Sequence, residues 1–394
     1  MVKKTVKDIN VRGKRVLTRV DFNVPLNEDK SIGDDTRIRA SLPTIRHLVD
    51  EGARVILVSH LGRPGGEVVE KLRMDPVASR LGELLGRAVN KQDDCIGPTV
   101  QDTVGRMQDG DVLLLENVRF YPGEQKNDRQ FAHELASLAE LYVNDAFGTA
   151  HRAHASTKGV TEFIPGVAGL LLEKELNVLG KLLSGPDKPF VAIIGGAKVA
   201  DKINILESFL TRVDALLIGG GMANTFLKAK GLAIGKSLVE NEKVEQALEL
   251  MDNAKKSNVR LLLPTDLVVA PAFSPDAGQK IVPVEAIPED CMALDIGPET
   301  IREFTEVIGE ARTLFWNGPV GVFEMEPFAR GTEALAAVIA KSQAVSVVGG
   351  GDSVAALKKL GVTEQITHVS TGGGASMEFL EGKGLPGVEA LQDK

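Results

Sequence analysis

Short runs of valine, isoleucine and leucine recur along the chain: Val16–Val20, Val55–Ser59, Val112–Leu115, Leu141–Val143, Val191–Ile194, Ala215–Ile218, Arg260–Leu263, Thr313–Trp316, Val345–Val348 and His368–Ser370. They are continuous rather than alternating, the pattern of strands covered on both faces in a parallel sheet. Between them, apolar positions fall at helical spacing in Ile38–Glu51, Asp75–Leu85, Arg129–Ala139, Ile203–Thr211, Val244–Lys256 and Phe328–Lys341. Strand and helix alternating some ten times predict an α/β fold. A leucine-rich stretch, Leu170–Leu183, follows Pro165-Gly166 and stops at Ser184-Gly185-Pro186. Its length and punctuation predict a helix connecting two lobes, with the boundary near residue 185.

A chain of 394 residues exceeds what one core usually serves, which also predicts two domains. The net charge of −8 disfavours a general nucleic-acid or membrane-surface binder. No apolar stretch approaches the length of a membrane span, and Met1–Asn10 has no signal-peptide core, so a soluble cytoplasmic protein is expected. Two cysteines, Cys95 and Cys291, form neither a disulfide framework nor a CxxC metal motif.

Charge and glycine are unevenly shared. Fifteen of the 20 arginines and five of the six histidines precede residue 185, whereas glycine runs at 195–196, 219–221, 349–351 and 372–374 each follow a strand-like run in the second half. In doubly wound sheets, ligands bind beyond the carboxyl ends of the strands. Applied to the first half, this rule gathers Asp21 and Asn23; Ser59, His60 and Arg63; Glu116, Asn117 and Arg119; and Asn144, Asp145, His151, Arg152 and His154. One arginine alone would be a surface ion pair and one Asp or Asn a turn former. Four loops carrying the same chemistry to one edge predict a small-anion site. His60, His151 and His154 lack the thiol or carboxylate spacing of a zinc site.

In the second half, the glycines permit close backbone approach and helix N–H groups favour an anion. Gly195 to Lys202 reads as a loop opening a helix, with Lys198 and Lys202 four apart on one helical face. Such a pair repels unless an anion lies between, and is otherwise a solvated pair. Asp352 in Gly349-Gly350-Gly351-Asp352-Ser353 reads as an N-cap or as a magnesium ligand beside phosphates. Three such loops on one edge predict a polyphosphate. Gly231–Ser237 is one residue short of a P-loop and follows no strand, and there is no G-x-G-x-x-G, G-x-S-x-G or HExxH.

Arg19-Val20-Asp21-Phe22-Asn23-Val24-Pro25, Ser59-His60-Leu61-Gly62-Arg63-Pro64, Leu115-Glu116-Asn117-Val118-Arg119-Phe120, Asn144-Asp145-Ala146-Phe147, His151-Arg152-Ala153-His154, Gly195 to Lys202, Trp316-Asn317-Gly318-Pro319, Gly349 to Ser353 and Ser370 to Ala375, in that order, closely resemble the phosphoglycerate kinase family. The resemblance runs from about residue 3 onward. It implies two doubly wound, mainly parallel, Rossmann-like lobes across a deep cleft: 1–169, a connecting helix over 170–185, and 186–379, with 380–394 packing back on the first.

It further implies reversible, magnesium-dependent transfer of a phosphoryl group between 1,3-bisphosphoglycerate and ADP, giving 3-phosphoglycerate and ATP, in glycolysis and gluconeogenesis, by a monomer whose lobes close. By matching position, Asp21, Asn23, Arg37, His60, Leu61, Gly62, Arg63, Arg119 and Arg152 would hold 3-phosphoglycerate. Gly196, Ala197, Lys198, Lys202, Gly220, Asn317, Glu324, Gly350, Gly351, Asp352 and Ser353 would hold the nucleotide, with Asp352 on magnesium. Arg37, Lys198, Lys202 and the Gly373 and Gly374 backbone would serve the transferring group. Near the adenine pocket that the resemblance implies, many relatives carry glycine where Ala293 stands. Three alternatives have discriminating features: a kinase of another small phosphorylated carboxylic acid, which differs in acceptor; a bilobal solute-binding protein, which needs an export signal; and an oxidoreductase or sugar-phosphate enzyme, which needs a dinucleotide fingerprint or a proton-transfer base.

Overall fold

Each of the ten apolar runs forms a strand, because a stretch shielded on both faces leaves water only by handing its backbone groups to neighbours in a sheet. The computed structural model describes residues 2–394. The chain divides into two compact units, one running to Asn177 and including Lys383–Lys394, the other Val178–Gly382.

The first unit holds strands β1 (Arg15–Arg19), β2 (Arg54–Val58), β3 (Asn90–Lys91), β4 (Val112–Leu114), β5 (Leu141–Asn144) and β6 (Gly166–Ala168), with helices α1 (Thr36–Asp50), α2 (Asp75–Leu85), α3 (Pro98–Arg106), α4 (Pro122–Gln125), α5 (Arg129–Ala136) and the start of α6 (Leu170–Ser184). Its six strands form one parallel sheet in the order β3-β4-β2-β1-β5-β6. The loops after β4, β2, β1 and β5 therefore leave four adjacent strands at the same edge. Val16, Val55, Val112 and Val143 pack with Ile38, Leu42 and Ile45 of α1 and Val77 and Leu81 of α2 in the core on one face of this sheet. The carboxyl-terminal segment completes the unit: Lys3 pairs with Asp393 as an antiparallel bridge, and Asn144 Nδ2 donates to the Gly387 carbonyl at 2.9 Å.

The second unit holds β7 (Phe190–Ile194), β8 (Ala215–Ile218), β9 (Arg260–Leu262), β10 (Asp266–Ala270), β11 (Lys280–Pro283), β12 (Met292–Ile296), β13 (Thr313–Asn317), β14 (Val345–Gly349) and β15 (His368–Val369). Its helices are the remainder of α6, then α7 (Ile203–Phe209), α8 (Gly221–Ala229), α9 (Val244–Lys256), α10 (Pro298–Glu310), α11 (Arg330–Lys341), α12 (Gly351–Lys359) and α13 (Gly374–Leu380). Six strands make a parallel sheet ordered β15-β14-β13-β7-β8-β9. Beyond the apolar runs read from sequence lies a three-stranded antiparallel sheet, β11-β10-β12, with a register shift at Val268/Val269. Strand β11 is largely exposed, so it lacks the continuous apolar pattern of its neighbour β10, which is buried throughout.

Asp145, at the end of β5, connects the first unit's sheet to α6. Its Oδ1 accepts from the Leu171 N–H at 2.9 Å and the Leu172 N–H at 3.4 Å at the helix start, while Oδ2 has no partner. Burial pushes this carboxyl up to about 7, with hydrogen bonds from Thr44, Leu171 and Leu172 pulling the other way. A folded-state pKa above the unfolded value means that the stabilising contribution is fully present below about pH 4 and is lost as pH rises through about 7. Urea unfolding at pH 5 and pH 8 should therefore show wild type losing on the order of 2 kcal/mol more than Asp145→Asn between the two. Equal losses would remove Asp145 as the source.

Candidate functional site

In the first unit, the β1, β2 and β4 loops are tied together by backbone and side-chain hydrogen bonds. Asp21 Oδ1 accepts from the Asn23 N–H at 3.2 Å and from Arg37 Nη1, on α1, at 3.3 Å; Arg37 Nη1 also donates to the Asn23 carbonyl at 3.0 Å. Asn23 Oδ1 accepts from the Gly62 N–H at 2.8 Å, and the Gly62 carbonyl accepts from Arg119 Nη1 at 2.8 Å. The Leu61 N–H reaches Asn117 Oδ1 at 3.2 Å. Asp21, Asn23, Arg37, Leu61, Gly62 and Arg119 thus form one bonded chain. Arg152 donates from Nε to His151 Nε2 at 3.1 Å, and Arg63 is exposed on the β2 loop.

Positive charge is concentrated here in little water. Arg119 is 5 % exposed, and burial, reinforced by the Arg19 and Arg152 charges, lowers its pKa to about 10. Burial and then the charges of Arg19, Arg119, Arg37 and Arg152 push His60 well below its ordinary value, so it is neutral at pH 7. Arg19 Nη2 lies 3.1 Å from His60 Nδ1. A guanidinium can only donate, so Nδ1 carries the lone pair and the ring's N–H stands on Nε2, available to an anion. The same burial takes His154 down to about 4.

Two residues of this region carry no sequence expectation of their own. Arg19 is fully buried; its Nε donates to Ser156 Oγ at 2.8 Å, and Ser156 Oγ donates to Glu124 Oε1 at 2.6 Å. Glu124, also fully buried on α4, accepts a second bond from the Ser156 N–H at 2.9 Å. Glu124 and Ser156 thereby hold Arg19, which orients His60. Arg19 occupies an inward position of β1, where an apolar residue is the rule; a charged residue inside an apolar run was the available signal. Glu124 had none, because its partners are far away in sequence.

In the second unit, the glycines after β7, β8 and β13 allow backbones to meet. A Cβ at Gly195 would lie 2.1 Å from the Pro319 carbonyl, and one at Gly220 (φ +71°) within 2.8 Å of both Gly196 and Pro319. The Gly196 N–H donates to the Pro319 carbonyl at 2.8 Å, the Gly220 N–H to Val320 at 3.0 Å and the Met222 N–H to Gly196 at 3.0 Å. Helices α8, α12 and α13 begin with glycine caps at Gly220, Gly350 and Gly373 without side-chain capping bonds, leaving first-turn N–H groups of Gly351 and Gly374 without helical partners. Asp352 therefore stands in the first turn of α12 and is not its N-cap.

The two lysines do not share a helical face. Helix α7 starts only at Ile203, with Lys202 as its N-cap and Lys198 in the preceding loop. The Glu240 carboxylate accepts from the Val199 and Ala200 N–H groups, drawing that backbone out of helical bonding. Lys198 is exposed. Lys202 donates to Asn317 Oδ1 at the end of β13, and burial lowers its pKa against the opposing charges of Asp201 and Asp352. Asn317 Nδ2 lies 3.0 Å from where a Gly350 Cβ would stand, and Ser353 Oγ accepts from the Gly318 N–H at 2.6 Å.

Beside these loops is a cavity of about 320 Å³. Gly196, Ala197, Gly220, Glu324 and Asp352 line it, as does Ala293, whose N–H donates to Ser237 Oγ at 2.9 Å. Among the described residues no three His, Cys, Asp or Glu side chains gather as a metal cage. Magnesium bound with a nucleotide takes one or two carboxylates and draws its other ligands from phosphate and water. The exposed Asp352 carboxylate, a hard oxygen donor beside helix starts suited to phosphate, fits that donor set.

Residues 6–383 match the family model for phosphoglycerate kinase. Curated phosphoglycerate kinases of Pelotomaculum thermopropionicum and Moorella thermoacetica are 61% and 60% identical over 394 residues, all of this chain and all of each relative. The solved phosphoglycerate kinase of Coxiella burnetii is 43% identical with a TM-score of 0.89, covering 98% of both chains. That of Pyrococcus horikoshii is 34% identical with a TM-score of 0.83, covering 99% of this chain and 98% of the other. No helix among the described residues is long and apolar enough to cross a membrane.

Proposed function

The chain belongs to the phosphoglycerate kinase family, and on that premise we propose how its residues carry out the transfer. A carboxylate oxygen of 3-phosphoglycerate attacks the γ-phosphorus of ATP, the bond to the β-phosphate oxygen breaks, and ADP leaves with the bonding pair, giving 1,3-bisphosphoglycerate; the reverse makes ATP. The nucleophile is already ionised at neutral pH, so no general base is required. Catalysis then reduces to positioning and to neutralising charge along an in-line path.

The observation carrying this reading is the buried guanidinium and imidazole cluster at the edge of four adjacent strands. Arg63, Arg119 and Arg152 with the His60 Nε2–H grip the distal phosphate of the acid, alongside the Leu61-Gly62 backbone. Asp21 and Asn23 take its hydroxyl and carboxylate end. Arg37 and Lys202 meet the transferring group, Lys198 neutralises phosphate charge, and backbone N–H groups at the Gly350-Gly351 and Gly373-Gly374 helix starts supply further donors. Gly196, Ala197, Gly220, Asn317, Glu324 and Ser353 complete the nucleotide site. Asp352 would hold magnesium, which when bound offsets phosphate charge. The acid and nucleotide sites lie on separate units, so the reading includes closure that excludes water from the acyl phosphate. We place the enzyme in the cytoplasm as a monomer.

The test is ADP formation from ATP and magnesium, with and without 3-phosphoglycerate, linked to a reaction that removes the acyl phosphate. Turnover that depends on the acid is the expected result. ATP binding without acid-dependent turnover would reject the acceptor.

A further inference from the structure

Arg19 is fully buried, and each of its three side-chain nitrogens has a partner inside the protein: Nη1 donates to the Val20 carbonyl, Nε to Ser156 Oγ at 2.8 Å, and Nη2 to His60 Nδ1 at 3.1 Å. A guanidinium so engaged serves its neighbours before any ligand. Behind Ser156 stands Glu124, with no exposed surface; its Oε1 accepts from Ser156 Oγ at 2.6 Å and its Oε2 from the Ser156 N–H at 2.9 Å. The two charged groups fix the direction of every bond in this chain. A carboxylate only accepts, so the Ser156 hydroxyl gives its proton to Glu124 and turns a lone pair to Arg19. A guanidinium only donates, so His60 Nδ1 accepts and the imidazole proton stays on Nε2. Glu124 is also the counter-ion of the buried Arg19 charge, one hydroxyl away. His154 Nδ1 lies 3.7 Å from Glu124 Oε1 and does not compete as a cation, because burial takes its pKa down to about 4.

A purely structural tie would need less. The loop that carries Arg152 and Ser156 is fastened by the Ala155 N–H donating to the Glu124 carbonyl at 2.9 Å, by the Ser156 N–H donating to Glu124 Oε2, and by the Tyr142 hydroxyl donating to the Ser156 carbonyl at 2.8 Å. None of the three uses the Ser156 hydroxyl, and an alanine would keep them all. What the hydroxyl adds is the link from Glu124 to Arg19, and through Arg19 to His60. We propose that Ser156 and Glu124 are positioning residues of the acid site, setting its affinity for 3-phosphoglycerate by holding the His60 proton on the ring nitrogen that meets the distal phosphate. This rests on the reading of the acid site above and adds to it two residues that touch no substrate.

The test is Ser156→Ala, which removes the hydroxyl and leaves the ties of the loop. The KM for 3-phosphoglycerate should rise about 10-fold, the scale of one hydrogen bond to a charged group, with the KM for ATP unchanged. Nitrogen NMR of the full chain labelled at histidine, with the His60 signals assigned by their loss in His60→Ala, should show the proton on Nε2 alone in wild type and a mixture of tautomers in Ser156→Ala. Glu124→Gln, whose amide can donate to the Ser156 oxygen and so reverse the chain, should reproduce both changes. In His60→Ala, adding Ser156→Ala should move the KM for the acid by no more than about 2-fold, because coupled residues lose their shared effect once. A rise of full size in that background overturns the inference and assigns the hydroxyl to the packing of the loop. An unchanged KM for the acid, or a single unchanged tautomer, in Ser156→Ala overturns it as well and leaves the acid site standing. Wild type without turnover of 3-phosphoglycerate would overturn both readings together.

Discussion

Arg37→Ala is expected to lower kcat by about three orders of magnitude, the lower end of what a transition-state arginine contributes to phosphoryl transfer, while the KM for ATP changes only a few-fold. The geometry gives the reason. Arg37 spends one nitrogen, Nη1, on Asp21 and the Asn23 carbonyl, which fixes the guanidinium, and its side chain remains 38% exposed. It is held in place yet retains donors and a full charge for a group in transit. That charge matters most when the phosphoryl oxygens belong fully to neither partner. Steady-state kinetics in both substrates would check it, and an unchanged kcat would sink the role. Arg37→Lys should recover only part of the loss, since an ammonium cannot keep both fixing contacts and still present a planar fork.

Lys202→Ala should lower kcat by about 10²–10³, the usual cost of removing one preorganised donor, with a smaller effect on ATP affinity measured by calorimetry. Lys202 is mostly buried and is steered by Asn317 Oδ1, so its ammonium is aimed before the substrate arrives. Burial carries a second consequence. With its pKa lowered, Lys202 loses its proton at lower pH than an ordinary lysine, so kcat should fall on an alkaline limb that begins below the usual lysine range. Lys202→Arg should abolish that limb, because a guanidinium stays protonated throughout. A limb unchanged in Lys202→Arg would assign it to another group.

Much of this was legible in sequence for physical reasons. A strand shielded on both faces must be continuously apolar, so β1, β2, β7 and β13 announced themselves. Because the strand order makes β4, β2, β1 and β5 neighbours, residues written after each run come to one edge. The antiparallel β11 escaped, since an exposed strand needs no apolar run. The helical pairing of Lys198 and Lys202 failed because a distant carboxylate, Glu240, competes for the N–H groups that a helix would use. Glu124 was invisible for the same reason: a buried group's meaning lies in which partners it has, and those are set by tertiary contacts.

The first unit is stitched from both ends of the chain, Lys3 against Asp393 and Asn144 against Gly387. On the ribosome, residues up to Asn177 emerge well before Lys383–Lys394, with the whole second unit made in between. Until those residues arrive, the Lys3 ammonium lacks the Leu391 carbonyl at 2.8 Å, and the Asn144 amide, at the end of β5 and two strands from β2 with its His60 loop, lacks the Gly387 carbonyl. The arginine-lined site therefore sits in a unit that vectorial synthesis finishes last, although most of its residues are made first.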